Sequence, residues 1–130
     1  MIFIKAIPKN FLVHTASVRT PVRHNSFGGS EYFAPVILKY IRIDYEVHEP
    51  IKAAGAGYNS VGTLIYDVQN SSPKNFDFEV GQEVSFDGQV FTVYSVLPLF
   101  HGKKLHHIEA GLKQGSNLNL SLWKKREANF

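Results

Sequence analysis

The sequence predicts an all-β fold: a small single-domain β-barrel of five to six mainly antiparallel strands, with long loops and a C-terminal arm. Three observations lead there. Apolar residues recur at every second position in almost every regular segment, the spacing of a half-buried strand. No segment keeps a helical period beyond two turns. Aromatic residues, at 13% of the chain with ten Phe and six Tyr, are plentiful and favour pleated surfaces. Strands without covering helices bury their apolar faces by closing on themselves or on a second sheet.

Taken in order, Phe11 to Val18 alternates loosely and is rich in β-branched residues, predicting the first strand. A long strand follows from about Pro35 to Val47, with Ile41, Ile43, Tyr45 and Val47 on one face and Arg42, Asp44 and Glu46 on the other. Its start, Val36 to Leu38, is apolar on both sides. The change from two-sided to one-sided burial predicts a strand that bends, as barrel strands do. Val61 to Gln69 is the next strand, with Leu64, Tyr66 and Val68 aligned, and Asn70 to Asp77 reads as a turn or short helix.

Glu83 to Phe86, then Asp87-Gly88, then Gln89 to Val96 reads as a tight hairpin, because Asp-Gly favours the type I′ turn. That turn pairs Phe86 with Gln89 and Val84 with Phe91, and it places Val84, Phe86, Phe91 and Val93 on one face. A slip of one residue would scramble this sorting, so turn and pattern support each other. Lys104 to Leu112 is the last barrel strand, with Ile108, Ala110 and Leu112 in line. The barrel domain is thus read as residues 1–113 and the arm as 114–130.

A chain of 130 residues is one ordinary domain, and it buries roughly two thirds of its unfolded surface without staples. The absence of cysteine removes disulfides and thiolate chemistry. Net charge is only +3, but it is segregated. Residues 1–25 hold four basic groups and no acid, residues 26–102 hold four basic and nine acidic groups, and residues 103–130 hold six basic and two acidic groups. Such segregation either steers stacking between unlike surfaces or simply keeps the protein soluble. The N-terminus is too short and wrongly ordered for a signal peptide, and no apolar run approaches the roughly 20 residues of a membrane span. The expectation is a protein made in the cytoplasm, with no membrane partner.

Catalytic and metal chemistry find no footing. His106 and His107, adjacent in a strand, are expected on opposite faces and so unable to share a metal. His101 sits in a Gly-Lys turn, and His14, His24 and His48 lie in separate elements. There is no nucleophile elbow and no phosphate-binding glycine loop before a helix. Asp77 and Glu79 read as a solvated strand entrance. The sequence therefore predicts no enzyme, no cofactor and no metal.

Ile7 to Lys9, Leu12 to Thr15, Gly62 to Asp67, Gly81 to Gly88 and Leu105 to Glu109, in this order, resemble a minor capsid protein family of tailed phages of Gram-positive hosts. That family is similar in turn to the head-completion, or stopper, proteins of siphophage connectors. The resemblance spans about residues 5–112, and the tail from Gln114 onward departs from it. It implies a virion protein at the head–tail interface, assembled in the host cytoplasm. There it forms a ring homo-oligomer that meets the adaptor or portal ring, the tail-completion protein and, without sequence preference, the packaged DNA. The alternative is an SH3-like or OB-like barrel that binds nucleic acid directly; against it, the alternation assigns most aromatics to the core and shows no exposed aromatic-plus-basic face.

In stopper-like proteins the loop between the second and third strands closes the channel, and the matching stretch here is His48 to Ser60. The resemblance therefore assigns gating to Glu49, Lys52, Ala53, Ala54, Gly55, Ala56, Gly57 and Tyr58. Small side chains suit close approach at a ring axis, and Glu49 against Lys52 leaves little charge to hold sliding DNA. Without the resemblance this is a flexible surface loop. In the tail, Leu118, Leu120 and Leu122 alternate before Trp123; they either add a strand to a neighbour's sheet with Trp123 as anchor or fray. These four, with Arg19 and Arg23 from the acid-free first segment, are the expected partner-binding residues.

Overall fold

The computed structural model describes residues 5–22, 31–48 and 59–114. Six strands form: β1 (His14–Arg19), β2 (Val36–His48), β3 (Asn59–Asp67), β4 (Glu83–Phe86), β5 (Gln89–His101) and β6 (Lys104–Gln114). They close into one barrel in the order β1-β2-β3-β6-β5-β4, and β4 returns to β1; every pairing is antiparallel. No helix occurs among the described residues, and 68–75 is a series of turns and bends.

The interior is filled from every strand: Ala16 and Val18, Leu38, Ile41 and Ile43, Leu64 and Tyr66, Val84, Phe91 and Val93, Ala110 and Leu112. Each fully buried aliphatic or aromatic side chain contributes roughly 1.5–3 kcal/mol relative to exposure. Closure also removes the sheet edges that would template unwanted pairing.

The β4–β5 hairpin is as expected. Phe86 pairs with Gln89 and Val84 with Phe91, and both turn residues are left-handed, Asp87 at φ 52° and Gly88 at φ 72°. These are the angles of a type I′ turn, whose twist matches the strands it joins.

β2 is interrupted by a bulge, and not by a change from two-sided to one-sided burial. Val36 and Ile37 are exposed, Ile37 at 51%, so the start of the strand is not buried on two sides. At the bulge His14 pairs with Ile41 and Thr15 with Lys39, which leaves Tyr40 without an opposite residue, at φ 56°. The extra residue flips the parity of the strand, so Leu38 and Ile41 both point inward while Lys39 and Tyr40 both point out.

β1 starts at His14 and not at Phe11. The N–H groups of Phe11 and Leu12 donate to the Pro8 carbonyl, so the chain turns over Lys9 and Asn10 before it extends. Leu12 ends buried beneath this turn and Phe11 outside it.

Candidate assembly surfaces

A buried carboxylate organises one side of the barrel. Asp67 has no exposed surface, yet its charge is answered: Oδ1 accepts from the Ile7 N–H at 3.1 Å, and Oδ2 accepts from the N–H groups of Gln69 and Asn70 at 3.1 and 2.9 Å. The Asn70 amide donates back to the Ile7 carbonyl at 2.7 Å. Ser71, also fully buried, accepts the Asp67 N–H on its Oγ and donates its hydroxyl hydrogen bond to the Tyr40 carbonyl. The carboxylate thus ties the N-terminal segment to the turn after β3, and the Ser71 hydroxyl ties that turn to the β2 bulge. Sequence reading missed it, although Asp67 followed by Asn70, Ser71, Ser72 and Pro73 carries the signature of an aspartate-nucleated turn.

At the other end of the barrel, His48 pairs with Asn59 and Ser60 with Gln114. The connection between β2 and β3 and the continuation beyond β6 therefore leave from neighbouring strands at one end. The expected gating residues Glu49, Lys52, Ala53, Ala54, Gly55, Ala56, Gly57 and Tyr58 lie outside the described residues. So do Arg23, Leu118, Leu120, Leu122 and Trp123.

This end is closed by side chains where strand pairing stops. The Tyr45 hydroxyl donates to Asp87 Oδ2 at 3.2 Å and accepts from the Gln89 amide at 3.2 Å, linking β2 to the β4–β5 turn. The His14 ring packs edge-on against Phe86, 4.8 Å between centroids, and its Nδ1 accepts the Ile43 N–H at 2.9 Å. Burial, then the hydrogen bond to Asp87 and its charge, hold the Tyr45 phenol above its ordinary value. A raised phenol favours the neutral form in the folded state, so its contribution is complete below the ordinary tyrosine value of about 10 and is lost as pH rises through the folded value. Tyr45→Phe is expected to flatten the alkaline limb of the stability–pH curve, read by denaturant midpoints above and below about pH 10.

Arg19 sits where β1 meets β4. Its guanidinium donates to Glu83 Oε2 at 2.6 Å and lies 3.7 Å from the centroid of the Tyr32 ring, while the Tyr32 hydroxyl donates to Glu83 Oε1 at 2.7 Å. Its charge is engaged within its own chain.

The two neighbouring histidines are not on opposite faces. His106 Nδ1 and His107 Nδ1 are 2.8 Å apart, because β5 and β6 shift register between Leu99↔His107 and Phe100↔Leu105, leaving His106 unpaired and breaking the alternation. His106 Nε2 donates to the Lys5 carbonyl at 2.8 Å, and His107 Nε2 meets Glu109 at 3.0 Å. The pair pins the N-terminal segment to β6. No group of three or more His, Asp or Glu able to hold a metal is found among the described residues.

An aromatic-plus-basic face does exist, contrary to the expectation that most aromatics lie in the core and leave no such face exposed. Lys9 Nζ lies 4.7 Å from the Tyr40 ring centroid and Arg42 Cζ 4.4 Å from that of Phe11. Phe11, Phe33, Tyr40, Tyr94 and Phe100 are all exposed. Alternation sorts residues between two faces of a strand; it does not say whether the outer face is covered.

The fold is a small closed antiparallel barrel with an interior of packed apolar side chains and with exposed aromatic and basic side chains outside. The model of the minor capsid protein family matches residues 8–112, most of the barrel, and the chain belongs to that family. It is a structural protein of the phage particle. No curated protein matches the chain.

Proposed function

We propose that this protein is a head–tail connector component of the stopper type, which forms a ring, closes the DNA channel with residues 49–58 and docks the tail. The observation that carries this is the family match over residues 8–112 on a barrel whose β2–β3 connection and C-terminal continuation leave from one end. A loop and an arm issuing side by side let one end of each subunit serve both the channel and the neighbouring ring. The arm, through Leu118, Leu120, Leu122 and Trp123, adds a strand to the next subunit or to the adjoining ring.

Particles produced without this protein are expected to package DNA, to lose it on purification and to carry no tails. Full-length, tailed particles in its absence would remove the proposal. A protein lacking 115–130 is expected to fold but to drop out of particles; an unchanged copy number would end the role given to the arm. The second reading, direct nucleic-acid binding by the isolated barrel, is favoured by the exposed lysines and aromatic rings on the surface and predicts salt-dependent binding of short DNA.

A further inference from the structure

Resting on the connector reading, the geometry points to a second, built surface: we propose that Lys9, Phe11, Val13, Lys39, Tyr40 and Arg42 form the docking site for a neighbouring capsid protein that presents carboxylates around an apolar side chain.

The first ground is the bulge. Tyr40 is a bulky residue at φ 56°, a region that L side chains with a large Cβ substituent avoid. Such strain persists only where its surroundings over-determine it, and it gathers at functional positions. Here it is over-determined from outside the strand. Ser72 and Lys39 exchange both backbone hydrogen bonds, at 2.9 and 3.0 Å, and the buried Ser71 hydroxyl donates to the Tyr40 carbonyl. The result of the clamp is an aim. A regular strand would send Tyr40 inward; the bulge sends Lys39 and Tyr40 out side by side, on the face that carries Arg42.

The second ground is what those side chains meet. The turn over Lys9 and Asn10 lays Lys9 over the Tyr40 ring and Phe11 under the Arg42 guanidinium. Phe11, Val13 and Tyr40 remain 41%, 60% and 44% exposed. A groove runs between this turn and the bulge, walled by Lys9, Val13, Lys39 and Tyr40. Ring stacking on cations fixes the rotamers before any partner arrives, which lowers the ordering cost of binding.

The third ground is chemistry. Tyr, Phe and Arg around exposed aliphatic surface are the composition of protein–protein interface centres. Three cations stand against one carboxylate, Asp44, which is already paired with Arg42 at 3.1 Å. The patch is therefore electropositive and suits an acidic rim. A nucleic acid fits less well: each ring already has a cation over one face, and bases need open ring faces to stack.

The test uses phage capsids assembled without this protein as the probe, with co-sedimentation of the full-length chain. Wild type is expected to bind, more weakly as salt rises. Tyr40→Gly removes the ring but suits the left-handed backbone, so its unfolding midpoint is expected to stay level or rise while capsid binding falls at least about tenfold. The double variant Lys9→Glu, Lys39→Glu changes only exposed ends and is expected to lose binding similarly, which keeps the test decisive should Tyr40→Gly unfold. Both variants binding as wild type does would overturn the docking site and leave the connector reading standing. Wild type failing to bind such capsids would overturn both. Tight binding of wild type to short single-stranded or duplex DNA, lost in the lysine double variant, would overturn the proposal in favour of a nucleic acid. Self-association lost in Tyr40→Gly would overturn it in favour of a second copy.

Discussion

Asp67→Ala is expected to lower stability by about 3–5 kcal/mol, the range for breaking a buried charged network and orphaning its partners. By the usual scaling this is a fall in Tm of about 10–20 °C. The reason is the number of groups left behind. The carboxylate receives three backbone N–H groups, from Ile7, Gln69 and Asn70, and alanine leaves them without that acceptor in a region with no exposed surface at Asp67 or Ser71. Asp67→Asn, which keeps one acceptor oxygen but brings an N–H toward a donor, is expected to fall between wild type and alanine. Denaturant unfolding measures both. A loss of under about 1 kcal/mol for alanine would mean that the N-terminal segment and the turn after β3 are held by other contacts.

Gly62→Ala is the second large effect, expected at about 2–3 kcal/mol, the upper part of the range for overpacking. A Cβ on Gly62 would stand 2.6 Å from Tyr45 Cβ and 2.7 Å from the Asp44 carbonyl oxygen. One of these is backbone and the other is fixed to it, so neither can rotate away. Gly62 pairs directly with Tyr45 on one side and Leu112 on the other. The missing side chain is what lets β2 close onto β3. Val61→Thr, one residue away on the exposed side, is the matched control and is expected to cost well under about 1 kcal/mol. Equal effects at the two positions would refute the close-approach explanation.

The legible parts of this fold are those in which local chemistry and periodicity agree. The Asp87-Gly88 turn and the alternation from Val84 to Val93 specify the same register, and the hairpin forms in that register. The barrel follows in the same way, from several alternating segments with no helix to cover them. The features that escaped are set by distant residues. Nothing near Tyr40 in sequence marks a bulge, because the clamp that holds it comes from Ser71 and Ser72, some 30 positions later. His106 and His107 obey alternation in the sequence and break it in the fold, because the register shift is negotiated between two strands and belongs to neither. Of the expected site residues only Arg19 falls within the described part, where its partners Glu83 and Tyr32 are 64 and 13 positions away in sequence. No local pattern could have announced them. The sequence also could not reveal which outer faces stay bare, and the surface proposed for docking is one of those.

The pairing of β3 has a mechanical consequence. From Ser60 to Tyr66 each residue of β3 has a partner on both β2 and β6, so both flanks of the strand are laced along nearly its whole length. Tension applied where the chain leaves at His48, Asn59 and Gln114 runs along these strands and across their ladder bonds. When β3 is pulled from Asn59 against the opposite end of the barrel, both ladders are loaded in shear and many bonds must fail together. Force entering along β3 is thus shared between two ladders at once and passed to both neighbouring strands.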